Sequence, residues 1–386
     1  MVDIYLNNAA TTYPKPPSVA RAVCDFIENG GANFSRGSAS KRDLRAMNVV
    51  MDCREKLADF FNAADSEYVT FTANVTESLN VVLGGFLKAG MRVVTSSMEH
   101  NAVIRPLRRL EKQGVQVNVF PCNARGYLDP VRFDEFLSTG KPADLVVLSH
   151  ASNVCGALQD LPAIAAVCAS KGVPLVIDAA QTAGHVPIDV SALGLTALCF
   201  TGHKGLLGPQ GTGGIVWARG FAERCVPLIA GGTGSFSHEE TQPEVLPDKF
   251  ESGTPNLPGI AGLSAALDFI GETGMDEISR VEDELGSALH EGAKKIPGLR
   301  LYGPEPAEPR LPVYAMNFEN IDNARAAHIL STEYGIETRP GLHCSPLAHR
   351  TLGSFPEGSL RVSPGYFNTM KEIETAIEAL RHISLV

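Results

Sequence analysis

The sequence has no C-x-x-C pair, no G-x-G-x-x-G at its first strand–helix turn and no G-x-x-x-x-G-K-[ST]. Without closely spaced cysteine pairs there is no disulfide framework and no zinc ribbon. Without the first glycine pattern a dinucleotide fold lacks its pyrophosphate turn. The stretch "GPQGTGG" has no lysine after its glycines and so fails as a nucleotide loop. His343, Cys344 and His349 stand close together, yet no second ligand pair joins them at metal spacing, so zinc fits poorly and no metal site is expected. No apolar run approaches the length of a membrane span. The start, "MVDIYLNNAATTYPKPP", lacks a basic segment followed by an apolar one, which sets the expectation of a cytoplasmic protein. Basic charge is also short: 33 Lys and Arg against 43 Asp and Glu leave a net charge of −10. Nucleic acids and anionic membranes call for the opposite sign, so small-molecule chemistry or protein partners are expected.

What is present suits a globular protein of two subdomains: 386 residues, 44% hydrophobic and 20% charged. Apolar runs alternate with helical patterns from residue 15 to 260. The strand candidates are "YVTFTA", "RVVTSS", "VQVNVF", "DLVVLSH", "PLVIDAA", "ALCFTG" and "GGIVWA". Such alternation predicts an α/β fold whose mostly parallel, doubly wound sheet is covered on both faces. After residue 260 a long helical pattern (259–296) leads into the short strands "LRLYG" and "VYAMNF" and ends on the amphipathic "TMKEIETAIEALRHIS". This predicts a smaller α+β domain of residues 1–14 and 261–386 beside a large one of 15–260.

Ligands of open parallel sheets sit at the carboxyl ends of the strands. After "YVTF" comes "TANVTESLN", where a turn leads to Thr76-Glu77 at the start of a helix whose N–H groups and hydroxyl suit a phosphate; plain helix capping is the simpler reading. His100 follows the next run, Asn153 follows "DLVVLSH", and Asp178 and Gln181 follow "PLVI". Thr201, His203 and Lys204 follow "ALCF", the lysine set between glycines. An acid, an amine and a phosphate cradle match the needs of pyridoxal 5'-phosphate: a lysine to condense with its aldehyde, a carboxylate to keep its ring nitrogen protonated, and donors for its phosphate.

These stretches, with "YLNNAATT", "DAAQTAGH", "ESGTPN", "RPGLHC" and "LRVSPGYFNT", resemble in content and order the class V aminotransferase family of fold type I pyridoxal phosphate enzymes, and its cysteine desulfurases in particular. The resemblance implies that Lys204 holds the cofactor, Asp178 pairs with its ring nitrogen and His100 stacks on the ring. It implies that Gln181 bonds the phenolic oxygen, with Asn153 nearby, and that Val75, Thr76, Thr201 and His203 hold the phosphate. Thr254 would reach the phosphate of a neighbouring subunit, so a homodimer is implied. Arg361, helped by Arg339 and Asn153, would bind the substrate carboxylate.

Seven of the eight cysteines read as small core residues or occasional surface thiols. Cys344 does not, since it lies in a loop broken by prolines and flanked by Arg339, His343 and His349. The resemblance makes it the nucleophile that takes sulfur from L-cysteine as a persulfide, leaves alanine and hands the sulfur to an acceptor protein. Leu342 and Ser35 stand where the short-loop group of the family often has histidines. Selenocysteine or cysteine sulfinate would use the same cofactor apparatus, so a selenocysteine lyase, or another class V aminotransferase or lyase, is the alternative.

Overall fold

The computed structural model describes residues 4–30 and 40–385, so Ser35 lies outside the described residues. The chain opens with β1 (Ile4–Tyr5), α1 (Pro17–Asp25) and α2 (Lys41–Phe61). A large layer follows: β2 (Val69–Thr72), α3 (Val75–Phe86), β3 (Arg92–Ser96), α4 (Asn101–Glu111), β4 (Gln116–Phe120), α5 (Pro130–Ser138) and β5 (Leu145–Ser149). It continues with α6 (Leu161–Ser170), β6 (Leu175–Asp178), β7 (Ala197–Thr201) and β8 (Gly213–Trp217). Every apolar run named above contributes one of the seven strands of this sheet, in the order β2-β8-β7-β6-β5-β3-β4. Pairing is parallel from β7 to β4, and β8 runs antiparallel to both its neighbours.

The inner strands are apolar at successive positions because both faces are covered. Along β5, Val146 and Leu148 enter the cluster under α2, α5 and α6, while Leu145 and Val147 enter the one under α3 and α4. Residues two apart share a face, so a continuous apolar run serves two cores at once. Each such side chain, fully buried, contributes about 1.5–3 kcal/mol.

The helical pattern over 259–296 is two helices, α7 (Leu257–Thr273) and α8 (Met275–Lys294). Gly274, at φ +86°, lets the chain turn between them. Ile260, Leu263 and Leu267 of α7 join the large-sheet core, whereas Leu285 and Leu289 of α8 join another. That second core covers the antiparallel sheet β12-β13-β10-β9, made of β9 (Leu299–Tyr302), β10 (Tyr314–Phe318), β12 (Arg339–Gly341) and β13 (Ser359–Val362). α9 (Asn323–Tyr334), α10 (Pro346–Leu352) and α11 (Met370–Ser384) complete this part, and β11 (Ile336–Glu337) pairs in parallel with β1. Thr369 and Glu372 close α11 with a reciprocal capping box. Among the described residues no helix is long and apolar enough to cross a membrane.

All eight cysteines are free thiols. Cys53, Cys155, Cys168, Cys199 and Cys225 are buried, Cys122 is half-buried, and Cys24 and Cys344 are exposed.

Candidate active site

The carboxyl ends of β3, β5, β6 and β7 converge. Asp178 closes β6 at 4% exposure, and its Oδ1 accepts the Ala180 N–H at 2.9 Å. Burial raises its pKa, against the pull of the Ala180 N–H, Lys204 and Ser149. Glu99, unnoticed in the sequence because it precedes the more conspicuous His100, is wholly buried beside it. Its carboxylate accepts Ser96 Oγ at 2.5 Å, Ser149 N at 2.8 Å and Ser149 Oγ at 2.8 Å. Ser149 Oγ also lies 3.5 Å from Asp178 Oδ2, so one hydroxyl stands between two buried acids. Burial pushes Glu99 up to about 7, its serine donors oppose that, and the Asp178 charge adds to it.

Lys204 follows β7 in a tight loop. A side chain at Gly205 would meet His185 at 2.4 Å and the Ala183 carbonyl at 2.5 Å, so glycine is required beside the lysine. Burial lowers the Lys204 amine to about 8; Asp178 opposes this, while Arg361 and Arg339 reinforce it. His203 lends its carbonyl to Thr12 N at 3.1 Å and Lys15 Nζ at 2.7 Å, while its buried Nδ1 has no partner among the described residues. Burial, then Lys204 and Lys15, lower its ring to about 4, so it is neutral. Thr201 is buried and donates to the Thr212 carbonyl at 3.4 Å.

Two helix N-termini face this end of the sheet. Asn74 caps α3 by accepting Glu77 N at 3.1 Å, so the plain capping duty falls to Asn74 and the exposed Thr76 hydroxyl takes no part in it. Val75 is buried beneath. His100 caps α4, its Nδ1 accepting Ala102 N at 3.0 Å. Burial and the nearby Lys204, Arg339, Arg105 and Arg361 hold its ring near 4, so the neutral imidazole carries its proton on Nε2. Thr76, His100 and Cys344 line one cleft of about 300 Å³.

Cys344 sits on a strained turn. His343 and Cys344 both have positive φ, +49° and +59°, which costs a non-glycine residue about 1–2 kcal/mol each. Ser345 N closes the turn on the Leu342 carbonyl at 2.8 Å, and three bonds tie it to its surroundings: Asn153 Nδ2 to the His343 carbonyl at 2.7 Å, Ser345 Oγ to Asn153 Oδ1 at 2.7 Å, and Asn101 N to the Cys344 carbonyl at 2.7 Å. Both ends of the Asn153 amide are thus engaged by the cysteine loop, a contact to which sequence gave no pointer. His343 pairs with the Arg339 carbonyl at 2.9 Å and His349 at 3.3 Å, and His349 with Ser354 at 2.7 Å. Burial keeps His343 near 3 and His349 near 4, so neither is charged at neutral pH.

Arg361 on β13 is opposite Arg339 on β12. It is 1% exposed and donates to the Asn153 carbonyl and Asn7 Oδ1, both at 2.9 Å, leaving a buried Nε without a partner among the described residues. Burial, then Arg339, pull it down to about 9. Gln181 donates to the Ala9 carbonyl at 3.0 Å. Asn7, Ala9, Thr12 and Lys15 therefore bind the N-terminal segment across the site. Thr254 lies apart from Lys204, exposed on a cavity of about 310 Å³ that Thr72, Glu77 and Gly211 also line.

Residues 4–375 match the Aminotransferase class-V family. The chain belongs to that family. Class V enzymes are generally dependent on pyridoxal phosphate. Among curated class V relatives, a probable cysteine desulfurase of Methanothermobacter thermautotrophicus is 35% identical, covering 99% of this chain and 94% of the relative. A cysteine desulfurase of Pectobacterium atrosepticum is 34% identical over 98% of this chain and 92% of its own. Among solved structures, the apo cysteine desulfurase from Thermococcus onnurineus superposes with a TM-score of 0.92 at 30% identity, covering 99% of this chain and 95% of that one.

Proposed function

We propose that this protein is a pyridoxal phosphate-dependent cysteine desulfurase, taking sulfur from L-cysteine onto Cys344 and releasing alanine. The observation that carries this reading is Cys344 itself: an exposed thiol on a clamped, left-handed turn, sharing a cleft with His100 and Thr76. The relatives' names point the same way.

The donor set fits the cofactor. A buried carboxylate, a lysine that makes no side-chain hydrogen bond among the described residues, and a buried His203 Nδ1 without a partner are groups that pyridoxal phosphate would satisfy. In this reading Lys204 and Asp178 hold its aldehyde and ring nitrogen, His100 covers the ring, and Gln181 meets the phenolic oxygen. Val75, Thr76, Thr201 and His203 hold its phosphate, and Thr254 serves a second copy in a homodimer. When bound, pyridoxal phosphate supplies a ring that accepts electrons from the substrate's α-carbon. The orphaned Nε of Arg361, with Arg339 beside it and the Asn153 main-chain carbonyl fixing the guanidinium, takes the substrate carboxylate. Lys204, its amine lowered to about 8, moves the α-proton at Nζ near neutral pH. Cys344 Sγ, as thiolate, attacks the substrate sulfur; the S–S bond forms as the carbon–sulfur bond breaks, and the three-carbon remainder takes up protons and leaves as alanine. An acceptor then removes the sulfur. Free thiols throughout the chain suit a reducing cytoplasm.

The test is an assay of alanine and sulfide from L-cysteine with a reductant. Cys344→Ala abolishes both products while the yellow cofactor band remains, and Lys204→Ala alters that band. A wild-type protein with bound cofactor that yields no alanine from cysteine defeats the reading, and activity on selenocysteine alone replaces it with a lyase.

A further inference from the structure

The cleft that holds Cys344 carries an unusual charge. Its walls include Arg105 and Arg109, and among the described residues no acidic side chain lines it, in a chain whose net charge is −10. Asn101, Arg105 and Arg109 follow one another at intervals of four, so they stack along one face of α4 above the thiol. Arg108 points elsewhere and pairs with Glu111 at 2.9 Å. Arg105 has no ion pair among the described residues, and Arg109 reaches only the Asn80 amide at 3.4 Å. Like charges four apart destabilise a helix, and nothing described here neutralises these two. The Asn101 N–H, at the positive end of the same helix, already grips the Cys344 carbonyl. At about 300 Å³ the cleft is at the small end for a ligand and admits a peptide tip rather than a folded domain.

Resting on the desulfurase reading, we propose that the Arg105–Arg109 face selects the sulfur acceptor, a peptide segment whose cysteine is flanked by carboxylates. The acceptor thiolate attacks the outer sulfur of the Cys344 persulfide. A new S–S bond forms on the acceptor, the old one breaks, and Cys344 leaves as thiolate with no net oxidation or reduction. The arginines hold the flanking carboxylates and steer the approach; they touch no reacting atom.

The experiment separates loading from discharge. Full-length protein with cofactor is given one turnover of L-cysteine, alanine is counted, and the desalted persulfide is mixed with three synthetic pentapeptides. Their cysteines are flanked by two aspartates, two serines or two lysines, with rates referred to each peptide's thiolate fraction. The aspartate peptide discharges the persulfide roughly tenfold faster than the lysine peptide at low salt, at the lower end of electrostatic steering. The ratio shrinks toward one at high ionic strength. R105Q/R109Q levels it and R105E/R109E inverts it, while first-turnover alanine is unchanged in R105Q/R109Q. Equal rates for the three peptides, or the same ratio in variant and wild type, overturn the proposal alone. Absence of first-turnover alanine from wild type overturns the desulfurase reading, and the proposal with it.

Discussion

Replacing Asn153 with alanine should disable sulfur transfer while leaving α-proton chemistry intact. The amide makes two 2.7 Å bonds, to the His343 carbonyl and the Ser345 hydroxyl, and both partner residues are buried at 4% and 0% exposure. Each partner left unsatisfied costs about 1–3 kcal/mol, so the native turn loses about 2–6 kcal/mol. That turn already holds two left-handed residues at a cost of about 2–4 kcal/mol together. The loss therefore matches the strain it restrained, and the turn relaxes. Even 2 kcal/mol lowers the population of the poised thiol roughly 30-fold. Two assays read the separate steps: alanine formation from L-cysteine, which needs Cys344, and exchange of solvent deuterium into the α-position of L-alanine, which does not. Alanine formation should fall at least roughly 30-fold, with exchange unchanged within about threefold. Collapse of both rates together would refute the reasoning and assign Asn153 to the cofactor instead.

Three other perturbations follow from the same geometry. Arg54, 1% exposed, meets Glu251 through bonds of 2.7 and 2.9 Å; Glu251→Gln should cost about 3–5 kcal/mol in urea unfolding, and Arg54→Met/Glu251→Leu should recover most of it. His185 is 2.7 Å from Glu282; burial opposes its charge, yet Glu282 raises its pKa overall. A raised histidine stabilises fully below its unfolded value of about 6.5 and loses that contribution as pH rises through the folded value, so Glu282→Gln should flatten this slope of stability against pH. Glu99, raised by burial to about 7, likewise favours the folded state when protonated. Stability should fall by roughly 3 kcal/mol as pH rises between about 4.5 and 7, and Glu99→Gln should remove that fall in pH-dependent denaturation.

Seven sheet strands were readable because each is a run of apolar residues serving two cores, a signal that needs no knowledge of partners. β12 was not, since a strand of three residues carries no periodicity. The helical pattern over 259–296 counted faces correctly but said nothing of the backbone sign at Gly274, where it divides. In the candidate site, the strand-end rule picked out Asp178, His100 and Lys204, which the fold brings close to one another. It missed what holds them. Asn153 and His343 are 190 positions apart, and Arg361 and Asn7 are 354 apart, so neither contact leaves a local trace. Glu99 was overlooked because a carboxylate beside a histidine reads as solvated until its burial is known.

The N-terminal segment also sets an order of events during synthesis. β1 pairs with β11, Asn7 bridges to Ser363, and Thr12 and Lys15 close over the Lys204 loop. This segment thus waits for partners made later, 354 positions later in the case of Asn7 and Arg361. At ordinary elongation rates, roughly 20–70 s separate the emergence of this strap from that of its anchor. Until then the Lys204 loop lacks its cover and Arg361 its Asn7 partner. A ribosome-bound chain halted before residue 336 can therefore hold a seven-stranded sheet and still be unable to close the end of it that carries Lys204.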